Sequence, residues 1–417
     1  MHYQVSIVGG GISGALLALY LGRARISVCL IDRGHPSQDI QKPPEGKTTS
    51  LNLSSIESLK QAGVWDFIQK DSQEFEEIHV WDSEGSSSIE FKAHEISKQK
   101  LGVIVHNQII LEAIFREIKE YSSIDLIEGE SLQSLTSNED NASIITESGL
   151  NISSDLIVGA DGSLSVVRNL SNIPIRTWSY HQLAIVSSVI TSNPLNETAF
   201  QIFTDTGPIA LLPLSTKPNL ASLIWSTDQV YGEKLLELDR DSLMKELRLK
   251  TEDRFGALTL DEDIKSFPLN QLHAKKFFKD RSILVGDSAH TIHPLAGQGL
   301  NLGIADVREL SELVISKNRY GKNIYDREML RTYSKRREPE SYKMIALMEA
   351  FKRGFGSDNP WIKMGRNLAF GFADKTKPLK KRLIKKPLEL FNLSFCIDDM
   401  LSDNRIKFLD FHLVRHG

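Results

Sequence analysis

Cysteine is nearly missing from this chain: Cys29 and Cys396 are the only two in 417 residues, far apart and in unrelated surroundings. That excludes a disulfide framework and a cysteine metal centre, and a reducing compartment fits. No apolar run approaches the roughly 18 to 20 residues that a bilayer-spanning helix needs. A strand-like segment begins almost at the first residue, so neither a signal peptide nor a transmembrane helix is expected. Excess positive charge is also absent; the formal net charge is -4, which gives no global reason to expect a nucleic-acid partner. Internal repeats and long low-complexity segments are lacking. What is present is an ordinary globular composition, 41% hydrophobic and 25% charged, on a chain longer than one core usually supports. Two or three domains are expected.

The first segment, "YQVSIVGGGISGALLALYLGRARISVCLIDR", reads as strand, glycine turn, helix, strand. Gly9, Gly11 and Gly14 stand in G-x-G-x-x-G spacing, and the second strand closes on Asp32. Gly9 permits the tight turn, Gly11 lets a pyrophosphate approach the backbone, and Gly14 lets helix pack closely on strand. The helix N-terminus offers N–H groups and partial positive charge to phosphate. Asp32 is placed to accept hydrogen bonds from ribose hydroxyls. An isolated glycine motif is often only a turn, but this one follows a strand, opens a helix and is answered by an acid. It predicts a dinucleotide site without separating a nicotinamide from a flavin.

Further along, residues 43–65 read as a Pro/Gly loop and then a helix from Ser54 or Ser55. Residues 78–91 look like a hairpin, and 107–121 have helical spacing. The short β-runs over 124–160 suggest a small antiparallel meander ending in "DLIVGAD". Strand formers dominate 181–230, and a single helix is expected over about 232–251. "SILVGD" (282–287) is a return strand, and the pattern after residue 300 is helical. The fold class expected is α/β, with a Rossmann-like nucleotide-binding domain, a β-sheet substrate domain and a C-terminal helical region. The first is assigned to 1–75, 98–180 and 268–340, the second to 76–97 and 181–267, the third to 341–417.

"DLIVGADGSLSVVR" (155–168) and "SILVGDSAH" (282–290) follow the glycine motif in an order that resembles the flavin-dependent aromatic monooxygenases of the 4-hydroxybenzoate hydroxylase type. "HPLAGQGLNLG" (293–303) narrows the likeness to the ubiquinone-biosynthesis hydroxylases, as do "VWD" (80–82), "GVIVHN" (102–107), "GPIALLPL" (207–214) and "GRNLAFGFADKTKPLKKRLI" (365–384). The resemblance covers about residues 3–390. It implies bound FAD, transient NAD(P)H as reductant, and delivery of one oxygen of O2 to the ring of a polyprenylated phenol. It assigns Asp161, Gly162 and Arg168 to the region of the FAD pyrophosphate and nicotinamide path, and Gly286 and Asp287 to the ribityl chain. His293, Pro294 and Gly297 would line the flavin-ring face where oxygen reacts; no general base is assigned.

Asp287 ends an apolar strand, at the sheet edge where open α/β folds bind ligands. Gly297 and Gly299 let backbone approach a flat ring, and the helix opening with Leu300 and Asn301 would turn its positive end to the reduced flavin, a stabilisation of roughly 0.3 to 2 kcal/mol. The family usually has Arg where Lys47 stands, which alters a flavin contact because Lys lacks the planar fork. His290 and His293 have no third metal ligand nearby, so no metal is expected and loop-structural roles are preferred. No second G-x-G-x-x-G occurs, so NAD(P)H is not expected to have its own Rossmann domain.

Gln201, Phe203, Leu212, Pro213 and Trp225 are the candidates for a substrate wall opposite the flavin, though each also suits an ordinary core. "KTKPLKKRLIKK" (375–386) reads either as a solvated helix face or as a peripheral membrane contact, where each charge near anionic lipid gains about 1 kcal/mol. A cytoplasmic location, with contact at the inner face of the membrane, is expected. The alternatives kept open are a hydroxylase of another aromatic substrate, and a non-catalytic FAD-bound subunit that organises other quinone-biosynthesis proteins, for which the unassigned residues 391–417 leave room. A halogenase is disfavoured because W-x-W-x-I-P is absent.

Overall fold

A computed structural model describes residues 1–39, 47–83, 88–138, 142–214, 217–292, 298–319 and 324–355. The predicted strand–turn–helix–strand opening is β1 (His2–Val8), α1 (Ile12–Arg23) and β2 (Val28–Asp32). α1 is Ala- and Leu-rich on every side because it is covered on every side: Gly14 to Leu19, Leu21 and Gly22 are all buried. A short helix, α2 (Pro36–Asp39), follows. β3 (Thr48–Asn52) leads into α3 (Leu53–Gln61), whose N-cap Asn52 accepts from the Ser55 amide, which starts the helix just before the predicted serines. α4 (Trp65–Ile68) and β4 (Gln73–Phe75) come next, then the predicted hairpin, β5 (Glu77–Asp82) against β6 (Ser88–Lys92). β7 (Gly102–His106) completes a three-stranded sheet, β3–β7–β4, and α5 (Asn107–Ile118) starts at once.

The predicted meander is half right. β8 (Ile124–Glu128) joins β2 in parallel, while β9 (Leu132–Ser137), β10 (Ala142–Thr146) and β11 (Asn151–Gly159) are the antiparallel part. The N-terminal half of β11 serves β10 and its length serves β1 in parallel, so the apolar "LIVG" run is buried on both faces. After α6 (Val166–Leu170), the long β12 (Ile175–Thr191) carries a bulge between Ser179 and Gln182, and β13 (Thr198–Thr204), β14 (Gly207–Pro213) and β15 (Leu220–Asp228) build the second sheet. The single helix expected near 232–251 is two, α7 (Gln229–Leu236) and α8 (Arg240–Lys250), because Asp239 caps the second by accepting from the Ser242 amide. β16 (Leu258–Leu260), β17 (Lys265–Ala274), β18 (Phe278–Lys279), β19 (Ser282–Leu284) and β20 (His290–Thr291) precede the long helices α9 (Gln298–Arg319) and α10 (Arg327–Phe355).

Two large sheets result. The cofactor-side sheet runs β18-β19-β11-β1-β2-β8 with β10 and β9 attached at β11. The second runs β20-β17-β12-β15-β14-β13-β5-β6, with β16 on β12. α1, α5 and α9 cover the first, α7 and α8 the outer face of the second, and β3–β7–β4 lies between the sheets. No helix among the described residues is long and apolar enough to cross a membrane.

Candidate active site

The two glycine-bearing ends of the chain meet. Gly9 takes the left-handed backbone expected of the turn (φ 109°), and a Cβ there would strike the Ala160 carbonyl. A Cβ on Gly14 would run into the Gly9 carbonyl, which is the close helix-to-strand packing predicted for it. Gly11 N-caps α1 with no side-chain cap, no acid stands in the first turn, and the space beside it is open. Ser13, the second residue of α1, sits between Gly286 and Gly303: a Cβ on either would lie 2.9 or 2.8 Å from its Oγ. Asp32 steadies the turn, its Oδ2 accepting from the Gly10 amide at 2.6 Å and its Oδ1 from the Gly34 amide at 2.7 Å.

The late segment is braced from behind. Arg168 is buried and donates to the Ser288 and Ser163 carbonyls, both at 2.9 Å, so it ties the two Asp-Gly and Gly-Asp loops together. Asp161 caps α6 through the Val166 and Val167 amides at 2.6 and 3.1 Å, while its Oδ1 is buried without a partner. Gly162 (φ 79°) faces open space. Asp287 lies where a Cβ on Gly299 would be 3.9 Å from its Oδ1; desolvation of its carboxyl pushes its pKa up, against the opposing charges of His290 and Lys47. Asn301, predicted as a cofactor contact, is buried and anchors β3 and α3: it accepts from the Asn52 amide (3.0 Å) and Ser55 Oγ (2.7 Å) and donates to the Ser50 carbonyl (2.7 Å). Leu300 is half-buried against the cofactor-side core. His293, Pro294 and Gly297 lie outside the described residues, as does 375–386.

The hub of this bracing was not foreseen. Asp306, fully buried in α9, accepts from the Gly286 amide (3.0 Å), His290 Nε2 (2.6 Å) and Arg337 Nε of α10 (2.6 Å). Burial works to raise its pKa, but the charges of His290 and Arg337 outweigh it and hold the carboxyl below its ordinary range. His290 thus has the loop-structural role preferred for it. Among the described residues no group of three or more His, Cys, Asp or Glu is arranged for a metal ion.

Alternation along the second sheet separates the proposed wall. Phe203 and Leu212 belong to the cluster that packs with Ile104 of β7 and Phe75 of β4, and Gln201 shares their side of the strand. Trp225 is on the other face, in the core under α7 with Tyr231 6.3 Å away, and Pro213 has the same parity as Leu211 there. These two are corrected: strand register turns them away from Phe203 and Leu212. Missed were Ile224, half-buried beside Trp225 but on the inner face, and Phe267 of β17, which has Lys47 Nζ 5.1 Å from its ring centroid. Lys47 is exposed where this sheet, β3 and Asp287 come together. Also missed were His106 and Asn107, whose Nδ1 and Oδ1 are buried without partners. Only the motif "GVIVHN" marked them.

These features fit FAD. Open glycines at an uncapped helix N-terminus suit a pyrophosphate, Asp32 a ribose, and the unpaired Asp161 and Asn107 oxygens the polar middle of a dinucleotide. The FAD-binding domain family model matches residues 2–347. The 3-demethoxyubiquinol 3-hydroxylase of Escherichia coli is 31% identical over 93% of this chain and 98% of its own length. The ubiquinone hydroxylase UbiL of Rhodospirillum rubrum is 30% identical over 94% of this chain and 90% of its own. Among solved structures, the p-nitrophenol 4-monooxygenase PnpA of Pseudomonas putida has a TM-score of 0.77 at 18% identity, covering 94% of this chain and 99% of that one, a likeness of fold. With the two glycine ends packed together at Ser13 and relatives matching nearly end to end, the chain belongs to the FAD-dependent hydroxylases of ubiquinone biosynthesis, within the FAD-binding domain family.

Proposed function

We propose that this flavoprotein hydroxylates the aromatic ring of a polyprenylated phenol in ubiquinone biosynthesis, using NAD(P)H as transient reductant and O2 as oxygen donor. The observation that carries this is the contact of Ser13 with Gly286 and Gly303, which leaves one cradle running from the early turn to Asp287, next to the apolar inner face of the second sheet. Bound FAD supplies the oxygen-transfer chemistry there. The chain's own part is to hold and orient: Gly9, Gly11 and Gly14 at the pyrophosphate, Asp32 at the ribose, Asp161, Gly162 and Asp287 along the middle, Gly299 under the ring. The inner face, with Gln201, Phe203, Leu212 and Ile224, would hold the substrate ring and exclude water. In this reading the protein is cytoplasmic and meets its bilayer-dissolved substrate from the membrane surface, with 375–386 as the contact.

The test is substrate-stimulated NAD(P)H oxidation by the purified, FAD-loaded full chain, with prenylated phenols in detergent and mass analysis of the product. A hydroxylated ring is expected. A colourless protein that takes up no FAD overturns the proposal. A yellow protein that no phenol stimulates, even with a membrane extract supplied, turns it toward the organising-subunit reading. Vesicle binding that survives replacement of Lys380, Lys381, Arg382, Lys385 and Lys386 by Gln removes the membrane contact.

A further inference from the structure

In β7, Val103 and Val105 turn to the cofactor-side core, while Ile104 turns to the cluster of Phe203 and Leu212. Side chains alternate along a strand, so His106 shares the side of Ile104. Its cross-strand neighbour Thr48 has its hydroxyl 2.6 Å from Ser222 Oγ of β15, and Ser222 pairs with Leu212 across the sheet. The imidazole therefore stands where β3 and β7 meet the wall of Leu212, Ser222 and Ile224. One residue on, the Asn107 amide donates to the Lys47 carbonyl at 3.0 Å, and Lys47, with His290, acts on the charge of Asp287. The residues toward Asp287 lie to one side of His106 and the apolar wall of Leu212 and Ile224 to the other.

Its Nδ1 is buried with no hydrogen-bond partner and does not cap α5, which begins at the next residue. Such an atom is rare in a packed protein and asks for a ligand group. Burial holds the ring below the ordinary histidine value, against a weaker upward pull from Glu262 in the turn before β17. The shift favours the neutral ring at pH 7, which can accept a proton.

We infer that His106 is the acceptor for the phenolic proton of the substrate, an inference that rests on the inner face being the substrate wall. The proton passes from the phenol oxygen to the imidazole nitrogen, and the oxygen's electron pair enriches the ring carbons ortho and para to it. One of those carbons then takes one oxygen atom of O2, whose other atom leaves as water at the expense of NAD(P)H; the hydrogen on that carbon is lost as a proton when the ring becomes aromatic again, and the proton on His106 returns to the phenol oxygen as the hydroxylated product leaves.

The experiment measures hydroxylated product per NAD(P)H consumed by the FAD-loaded full chain, with a diprenylated phenol in detergent, between pH 5 and 10. His106→Gln and His106→Asn should keep FAD and still oxidise NAD(P)H, with the electrons appearing as hydrogen peroxide. Hydroxylation at pH 7 should fall on the order of 100-fold. The deficit should close as pH nears the phenol's own value of about 10, where the solvent removes the proton. Wild type should lose hydroxylation on an acid limb below about pH 6.5, which decides the matter should both variants lose FAD. A deficit constant with pH, product yields within about twofold of wild type in both variants, or no acid limb would each overturn the assignment. Ile224→Trp separates the premise from the inference: an unchanged KM sinks the wall, whereas a raised KM beside an innocent His106→Gln sinks only the role of His106.

Discussion

The cofactor side and the substrate sheet of this protein specify themselves in different ways. Around the early turn, the work falls to backbone: Gly9 and Gly14 matter for the side chains they lack, against the Ala160 and Gly9 carbonyls, and the spacing that marks them is confined to six residues. In the second sheet the work falls to side chains, and a residue's meaning depends on which face long-range pairing gives it. Ile224 and Trp225 are adjacent in sequence yet serve opposite sides, one half-buried toward the site and one sealed under α7. Local motifs therefore announce the first region, while only register reveals the second.

The comparison breaks most sharply at Gly14→Val. A side chain there meets the Gly9 carbonyl, so the purified protein should carry no flavin absorbance; normal FAD content would mean that backbone packing is not what the motif provides. Next is Asp306→Asn, which leaves Arg337 buried without its counter-charge and should cost about 3 to 5 kcal/mol in denaturant unfolding. Because the folded carboxyl is held below its ordinary value, this contribution is complete above about pH 4 and is lost as pH falls through the folded value. Wild type and variant should therefore converge in acid.

Trp225→Ala should cost about 3 to 5 kcal/mol while leaving KM for the phenol unchanged, since the ring fills the outer core. Ile224→Trp is the smallest effect and the sharpest contrast: KM should rise about tenfold, roughly 1.4 kcal/mol, with little change in stability. Equal KM effects at 224 and 225 would erase the distinction between the two faces.

Legibility followed the same division. The opening βαβ unit, the hairpin at 78–91 and the helix after Asn107 could be read because their signals are local. β8 looked like part of a meander because its short apolar run carries no mark of the partner it pairs with, β2. The break between α7 and α8 was written as Asp239 three residues before Ser242, a cap overlooked in a continuous helical pattern. Asp306 left no trace: a lone acid on an amphipathic helix is usually solvated, and its partners Gly286, His290 and Arg337 converge only in three dimensions. The same holds for His106, whose function depends on facing with Ile104 rather than Val105.

Ser13 carries one last consequence. A nascent chain makes its phosphate-binding turn almost first, but the surfaces that Ser13 touches, Gly286 and Gly303, emerge only after every strand of the second sheet except the short β20 has been synthesised. Cofactor capture should therefore wait until α9 has been made. Fragments that stop short of α9 should leave the ribosome unpigmented, however well their opening βαβ unit has formed.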